Sequence, residues 1–177
     1  ARDQAGIFSR AAGALALRGL DVLQADAYSS DAGMAVSQFR VVVPDTPVDW
    51  DRVIDDVYQC LQGHLAIDAR IAERARVYRR RTALAAKKVG TSVVFDVESA
   101  TDATIIEVRT EDHIGVLYHL TRAIAEMGLD IRSAKIQTIS NEVVDAFYVT
   151  GSDGPALGDL HRREIEAALR YSLKKVE

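Results

Sequence analysis

Two kinds of hydrophobic spacing alternate along the chain, and the alternation occurs twice. Ile7, Phe8, Ala11, Ala12 and Leu15 recur at the three- and four-residue spacing of a helix with one covered face. Gly19 then stands where a helix C-terminus takes a residue free to adopt positive φ. Residues 22–28 read as an extended segment and 29–33 as a polar turn. Residues 34–43, rich in β-branched and aromatic side chains, read as the returning strand of a hairpin. Trp50, Val53, Ile54, Val57 and Leu61 follow as a one-faced helical stripe behind Asp49, a side chain suited to capping a helix start.

The second half repeats this order. Residues 3–22, DQAGIFSRAAGALALRGLDV, align without gaps on residues 112–131, DHIGVLYHLTRAIAEMGLDI, at an offset of 109, and seven of the twenty positions are identical. Val116, Leu117, Leu120, Ala123, Ile124 and Met127 form the helical stripe and Gly128 its end. Residues 131–138, a turn at 140–142 and residues 143–150 form the hairpin, with Phe147 matching Phe39 once one turn residue is allowed for. Leu157, Leu160, Ile165, Ala168 and Leu169 make a looser second helix.

Residues 104–109 ahead of this copy read as a strand. The order is therefore that of a βαββαβ unit, an α+β fold with helices on one face of an antiparallel sheet. The last strand of the second copy has only residues 173–177 to draw on. The first copy begins at the loop, with its leading strand missing, and residues 91–98, alternating Val93, Phe95 and Val97, offer it a closing strand. Two ferredoxin-like domains are expected, at 1–100 and 101–177. Residues 63–90 form a basic insertion carrying Arg70, Arg74, Arg76, Arg79, Arg80, Arg81, Lys87 and Lys88. A helix with a solvated basic face is the simpler expectation for it, and docking on an acidic surface or a nucleotide the sharper one.

Composition narrows the function classes. Of 177 residues, 48% are apolar and 27% charged, so the chain can fold around a core. The formal net charge of −4 gives no global pull toward nucleic acid or an anionic membrane. A single cysteine, Cys60, excludes an internal disulfide and a cysteine metal cluster and fits a reducing, cytoplasmic compartment. No stretch approaches the roughly 18 to 20 apolar residues of a membrane span. Beginning at Ala1 and not Met, the chain reads as a piece of a longer protein.

The Asp-x-x-Gly loop, the apolar helix closing in Gly-Leu-Asp and the strand with Ala134-Lys135-Ile136 together resemble the ACT domain. The phrases LTRAIAEMGLDIRSAKIQT and VVDAFYVT, and GIFSRAAGALALRGLDVLQADAYSSDAG in the first copy, resemble the C-terminal ACT pair of the PII uridylyltransferase/uridylyl-removing family. The resemblance covers residues 3–39 and 93–150. It implies a regulatory module that senses an amino acid, glutamine in that family, inside an enzyme that modifies the PII nitrogen-signalling protein. The resemblance leaves open a parent that transfers adenylyl groups instead of uridylyl groups, since the sequence does not separate the two. Where the family commonly has Asp-Arg-Pro-Gly, this chain has Asp3-Gln4-Ala5-Gly6 and Asp112-His113-Ile114-Gly115, so the loops lack the stiffening of proline.

Such loops suit a zwitterion. The first helical amides after Gly6 and Gly115 and the positive helix end favour a carboxylate. Asp3, Asp21, Asp112 and Asp130 are candidate acceptors for an ammonium group. The resemblance places the ligand between a loop and the next strand of the paired domain. It therefore adds Gln4, Ile7, His113 and Val116 from the loops, and Ala25, Asp26, Ala134 and Lys135 from the strands. Each aspartate could equally serve only to cap a turn.

Catalytic chemistry is expected elsewhere. His64, His113, His119 and His161 are scattered, no Gly-x-Gly-x-x-Gly or P-loop is present, and Cys60 lies within a helical stripe. No cofactor is expected in this stretch; the Mg²⁺ that the resemblance implies belongs to the parent enzyme. A structural dimerisation module without a ligand, pairing two copies as a homodimer, is the competing function. RNA binding and acylphosphatase-like catalysis share the topology, but residues 131–138 offer no stacking aromatics and the second loop has no phosphate-holding arginine.

Overall fold

The computed structural model describes residues 2, 6–29, 32–81, 89–139 and 141–174. The elements in chain order are α1 (Ile7–Leu17), β1 (Asp21–Ser29), β2 (Ala35–Val42), α2 (Trp50–Leu61), α3 (Ile67–Arg81), β3 (Ser92–Asp96), β4 (Thr104–Glu111), α4 (Val116–Glu126), β5 (Asp130–Ile139), β6 (Glu142–Thr150) and α5 (Asp159–Lys174). The fold is α+β, as two ferredoxin-like units require. Six antiparallel strands form one open sheet in the order β2-β1-β5-β6-β4-β3.

The two copies meet where β1 pairs with β5. Ala25 stands opposite Ala134, with Gln24 opposite Lys135 and Asp26 opposite Ser133. Ala25 and Ala134 are themselves equivalent in the repeat, so a local twofold axis passes between them. β1 and β5 also carry their bulges at equivalent places, between Val22 and Gln24 and between Ile131 and Ser133.

One face of the sheet is covered and the other open. On β6, Val143, Asp145, Phe147 and Val149 are buried while the residues between them are half-exposed. A single core joins both copies, running from Phe8, Ala12 and Leu15 of α1 through Leu117, Leu120 and Ile124 of α4 to Ile165 and Leu169 of α5. A second, smaller cluster of Ala14, Cys60, Ile67, Ile71 and Tyr118 ties α2 and α3 to α1 and α4. The approach is close at Gly13, where a Cβ would stand 2.8 Å from Ile67 Cγ2 and 2.9 Å from Tyr118 Cδ2.

The hairpins, the first helices and the positive φ of Gly19 and Gly128 follow the expectation. Asp49 caps α2, its carboxylate accepting from the Arg52 amide at 3.1 Å. Several assignments differ. Residues 92–96 do not close the first copy; they pair with β4 and take the place of the fourth strand of the second. Residues 173 and 174 belong to α5, with Leu173 buried, and residues 175–177 lie outside those described. Leu160 is exposed, and α5 buries Ile165, Leu169 and Leu173 instead. In α2 the buried face runs through Val53, Asp56 and Cys60, leaving Trp50 and Ile54 outside, and the buried Asp56 pairs with Arg18 at 2.6 Å.

The basic insertion is a helix, α3, that packs through Ile67, Ile71 and Ala75. Arg74 donates to the Leu17 carbonyl at the end of α1. Lys87 and Lys88 lie outside the described residues. Where the first copy lacks its leading strand, Arg2 makes a lone antiparallel bridge to Met34. The same place in the second copy is held by Glu111 opposite Glu142, the last rung of β4 on β6.

Candidate functional site

Each repeated loop turns into its helix through glycine in the left-handed conformation, Gly6 at φ 80° and Gly115 at φ 84°. The twofold axis sets each loop against the start of the strand that follows the other copy's first helix. At the first loop, Gly6, Ile7 and Phe8 face Leu129, Asp130 and Ile131 across a cleft of about 390 Å³, with Ala27 and Ser37 beneath. Ser9 Oγ donates to the Gly6 carbonyl at 2.9 Å and steadies this turn. Asp3 and Gln4 lie outside the described residues.

At the second loop, the Asp112 amide donates to the Asn141 carbonyl at 2.8 Å, which fixes the loop to the β5–β6 turn. The Asp112 carboxyl keeps part of its surface in water yet is raised above the ordinary range, first by partial burial and then by the charge of Asp21. His113 Nδ1 sits 3.0 Å from the Glu111 carbonyl. Gly115 is covered by α3: a Cβ there would lie 2.5 Å from Ile71 Cγ2. Val116 is buried beside it.

The loops, Asp21 and Asp130 are thus brought together in crosswise pairs. The strand residues divide differently. Ala25 and Ala134 are wholly buried at the centre of the seam. Asp26 and Lys135 lie on the open face, away from both loops. There Asp26 accepts from Ser133 Oγ at 2.7 Å, and Lys135 Nζ stands 5.6 Å above the Tyr148 ring. The paired bulges cause this, since one inserted residue turns the following side chains to the other face.

Asp145 is a buried acidic side chain that spacing alone does not single out. It is wholly buried on β6 between Val108 of β4 and Ile136 of β5, and neither carboxylate oxygen has a hydrogen-bond partner. Burial pushes its carboxyl up to about 8. The Gln137 amide, short of hydrogen-bonding geometry, offsets this in part, and the charge of Asp112 adds to it. The signal was an acidic residue in phase with Val143, Phe147 and Val149.

The remaining candidates for chemistry are packing or capping groups. His161 Nε2 meets the Met127 carbonyl at 3.1 Å, and His119 lies edge-on to Tyr118. Cys60 is buried, and burial pushes its thiol up to about 11. Among the described residues no three His, Cys, Asp or Glu side chains converge, so they offer Mg²⁺ no cage. Among them, too, no helix is long and apolar enough to cross a membrane. A larger groove of about 550 Å³ between α1, α3 and α4 is walled by Arg10, Asp68, Arg122 and Glu126. There Arg122 pairs with Asp68 and Glu126, and Arg10 donates to the Leu61 carbonyl.

Two repeats, αββ in the first copy and βαββ in the second, joined edge to edge in one sheet with each loop facing the other copy's strand, make this a paired ferredoxin-like module of the regulatory, ACT-like kind. The chain is 35% identical over 176 residues to the bifunctional uridylyltransferase/uridylyl-removing enzyme of Cereibacter sphaeroides, covering 97% of the chain and 19% of that protein. It is 34% identical over 176 residues to the enzyme so named in Ruegeria pomeroyi, with coverage of 97% and 19%, and 32% identical over 179 residues to that of Streptomyces coelicolor, with 97% and 21%. The chain matches these enzymes along nearly its whole own length and spans about a fifth of theirs. No family model matches it, and no solved structure does.

Proposed function

We propose that the chain is the amino-acid-sensing module, glutamine-responsive, of an enzyme that adds uridylyl groups to the PII signalling protein and removes them. The observation that carries this reading is the cleft between the Gly6 loop and Asp130, within a chain that matches such enzymes along nearly its whole length. The ligand's carboxylate would lie at the first amides of α1 or α4, and its ammonium near the aspartates that open the facing strands. Binding shifts the parent enzyme only as far as glutamine prefers one arrangement of its domains. PII, Mg²⁺ and the nucleotide would be handled by the remainder of the parent, in the cytoplasm.

The competing reading is a dimerisation module with no ligand. The strand edges that such a module would offer to a second copy, β1 and β5, pair here within one chain, which favours the sensor. Thermal unfolding of the chain against the twenty amino acids at millimolar concentration tests it. A ligand present at about 100 times its Kd should stabilise by about 2.7 kcal/mol, a shift of roughly 5 to 10 °C for a chain of this size. Glutamine alone should produce it, and Asp130→Asn should reduce it. No shift for any amino acid would leave the structural module as the better account.

A further inference from the structure

Helix α2 carries more apolar surface than this chain covers. Val53 and Cys60 are buried against the rest of the fold, and Val57 is half-buried at the edge of that contact. Further round the helix, Trp50, Ile54 and Tyr58 are 48, 65 and 60% exposed. They stand four residues apart, so they lie one above another along a single side. Trp50 is the only tryptophan of the chain. The equivalent helix of the second copy, α5, has no such stripe: its exposed Leu160 and Tyr171 are separated by the exposed Arg163 and Glu164.

The packing of α2 does not depend on this side. The helix is held from elsewhere, by Arg18 on Asp56 at 2.6 Å, by Arg10 on the Leu61 carbonyl at 3.0 Å and by the Asp49 cap. The three side chains are therefore presented on a fixed scaffold. Their burial against another surface would be favourable, and tryptophan and tyrosine are the side chains enriched at the centres of interfaces.

Charge and size choose the occupant. Beside the stripe, Asp51 and Asp55 are exposed and, among the described residues, have no ion-pair partner, whereas Arg52 is paired with Asp49. A second copy laid antiparallel along the stripe would set its own two carboxylates on the same side as these, which is unfavourable. The helix has 12 residues. One face of it, about 18 Å long, offers a few hundred Å². That is short of the roughly 800 Å² that each partner gives to a stable complex of separate molecules. A domain tethered in the same polypeptide needs less, because the tether holds it at about millimolar effective concentration. The relatives that the chain matches are about five times its length, which gives such an enzyme further domains to place.

We propose that the side of α2 bearing Trp50, Ile54 and Tyr58 seats another domain of the parent enzyme, through an apolar surface rimmed by lysine or arginine opposite Asp51 and Asp55. The proposal rests on the reading of the chain as a module of a larger enzyme, and not on its ligand. Because α2 packs on α1, which opens at the Gly6 loop, the seated domain lies one helix away from the cleft.

Thiol labelling of Ile54→Cys by N-ethylmaleimide, in the chain alone and in the parent enzyme, tests this. Trypsin, cutting after Arg52 and Arg70, leaves residue 54 on one peptide with the buried Cys60, the internal reference for an intact helix. The new thiol should react at least ten-fold more slowly in the parent than in the chain alone. Leu160→Cys, on α5, should react equally in both. In the parent, Asp51→Lys with Asp55→Lys should return part of the lost reactivity at position 54, since it sets like charges against the basic rim. Equal rates at position 54 in the two contexts would overturn the docking. Protection already present in the chain alone, and rising with its concentration, would overturn it in favour of a second copy. Protection untouched by the charge reversal would overturn the basic partner. None of these readouts needs an amino acid, so a failure of glutamine sensing is a separate result.

Discussion

Ala25 stands directly opposite Ala134 on the β1–β5 ladder, and both are fully buried beneath α1 and α4. They stand 109 positions apart, which is the offset of the repeat, so each pairs with its own counterpart. Small side chains at the axis let the two helices come down on the sheet together. Ala25→Leu or Ala134→Leu should overfill this place and cost about 1 to 3 kcal/mol each. The double variant should depart from additivity, because the two methyl groups share one space. Urea unfolding of the four chains measures it, and additive costs would place the two residues in separate environments.

Gly115 and Gly128 both have positive φ, but only Gly115 is crowded. Gly128→Ala should cost about 1 to 2 kcal/mol for the left-handed conformation alone. Gly115→Ala should cost distinctly more, since its Cβ would collide with Ile71. Ile71→Ala in that background should recover part of the difference. Equal melting temperatures for the two glycine variants would mean that α3 does not rest on the loop.

Asp145 gives stability a pH dependence of definite sign. Its folded carboxyl titrates near 8 against an ordinary 3.8. Between those values the folded chain holds a proton that the unfolded chain has released. Stability from this group is therefore fully present below about pH 4 and is lost as pH rises toward about 8, at up to about 1.4 kcal/mol per unit. Asp112, also raised, adds in the same direction. Asp145→Asn should flatten the profile and leave the chain more stable at pH 8; a profile unchanged by the substitution would contradict the burial of an unpaired acid.

Cys60 should resist alkylation in the native chain at pH 8, because its thiol is enclosed and pushed up to about 11. Mass spectrometry after iodoacetamide treatment should show labelling only once denaturant is added. Prompt native labelling would mean that α2 opens readily from α1.

Much of this was legible because a repeat states its pattern twice. The helices, hairpins and left-handed glycines follow from spacing alone. Pairing does not: Val93 and Phe95 alternate in the same way whichever strand lies beside them, so the partner of β3 is decided by the shared core. The bulges were hidden too. Without them Asp26 and Lys135 would turn toward the helices, and one residue in each strand reverses that. In α3, Ile67, Ile71 and Ala75 are apolar positions four apart in a basic segment, too few to announce that the segment covers Gly115. Asp145 was readable as a charge in the inward phase of a strand, but the lack of a hydrogen-bond partner for its oxygens was not.

The shared core has a consequence for how the chain comes to be folded. α1, β1 and β2 bury their apolar face against α4 and beside β5, elements that lie about a hundred residues further along. The second copy, with β3 to β6, α4 and α5, has a more nearly closed arrangement of its own. During synthesis the first copy must wait with its apolar side uncovered until the second copy emerges, and the search for that distant partner sets the pace. Refolding should therefore be slow for a chain of this length, with the C-terminal half ordering first and the N-terminal half docking onto it.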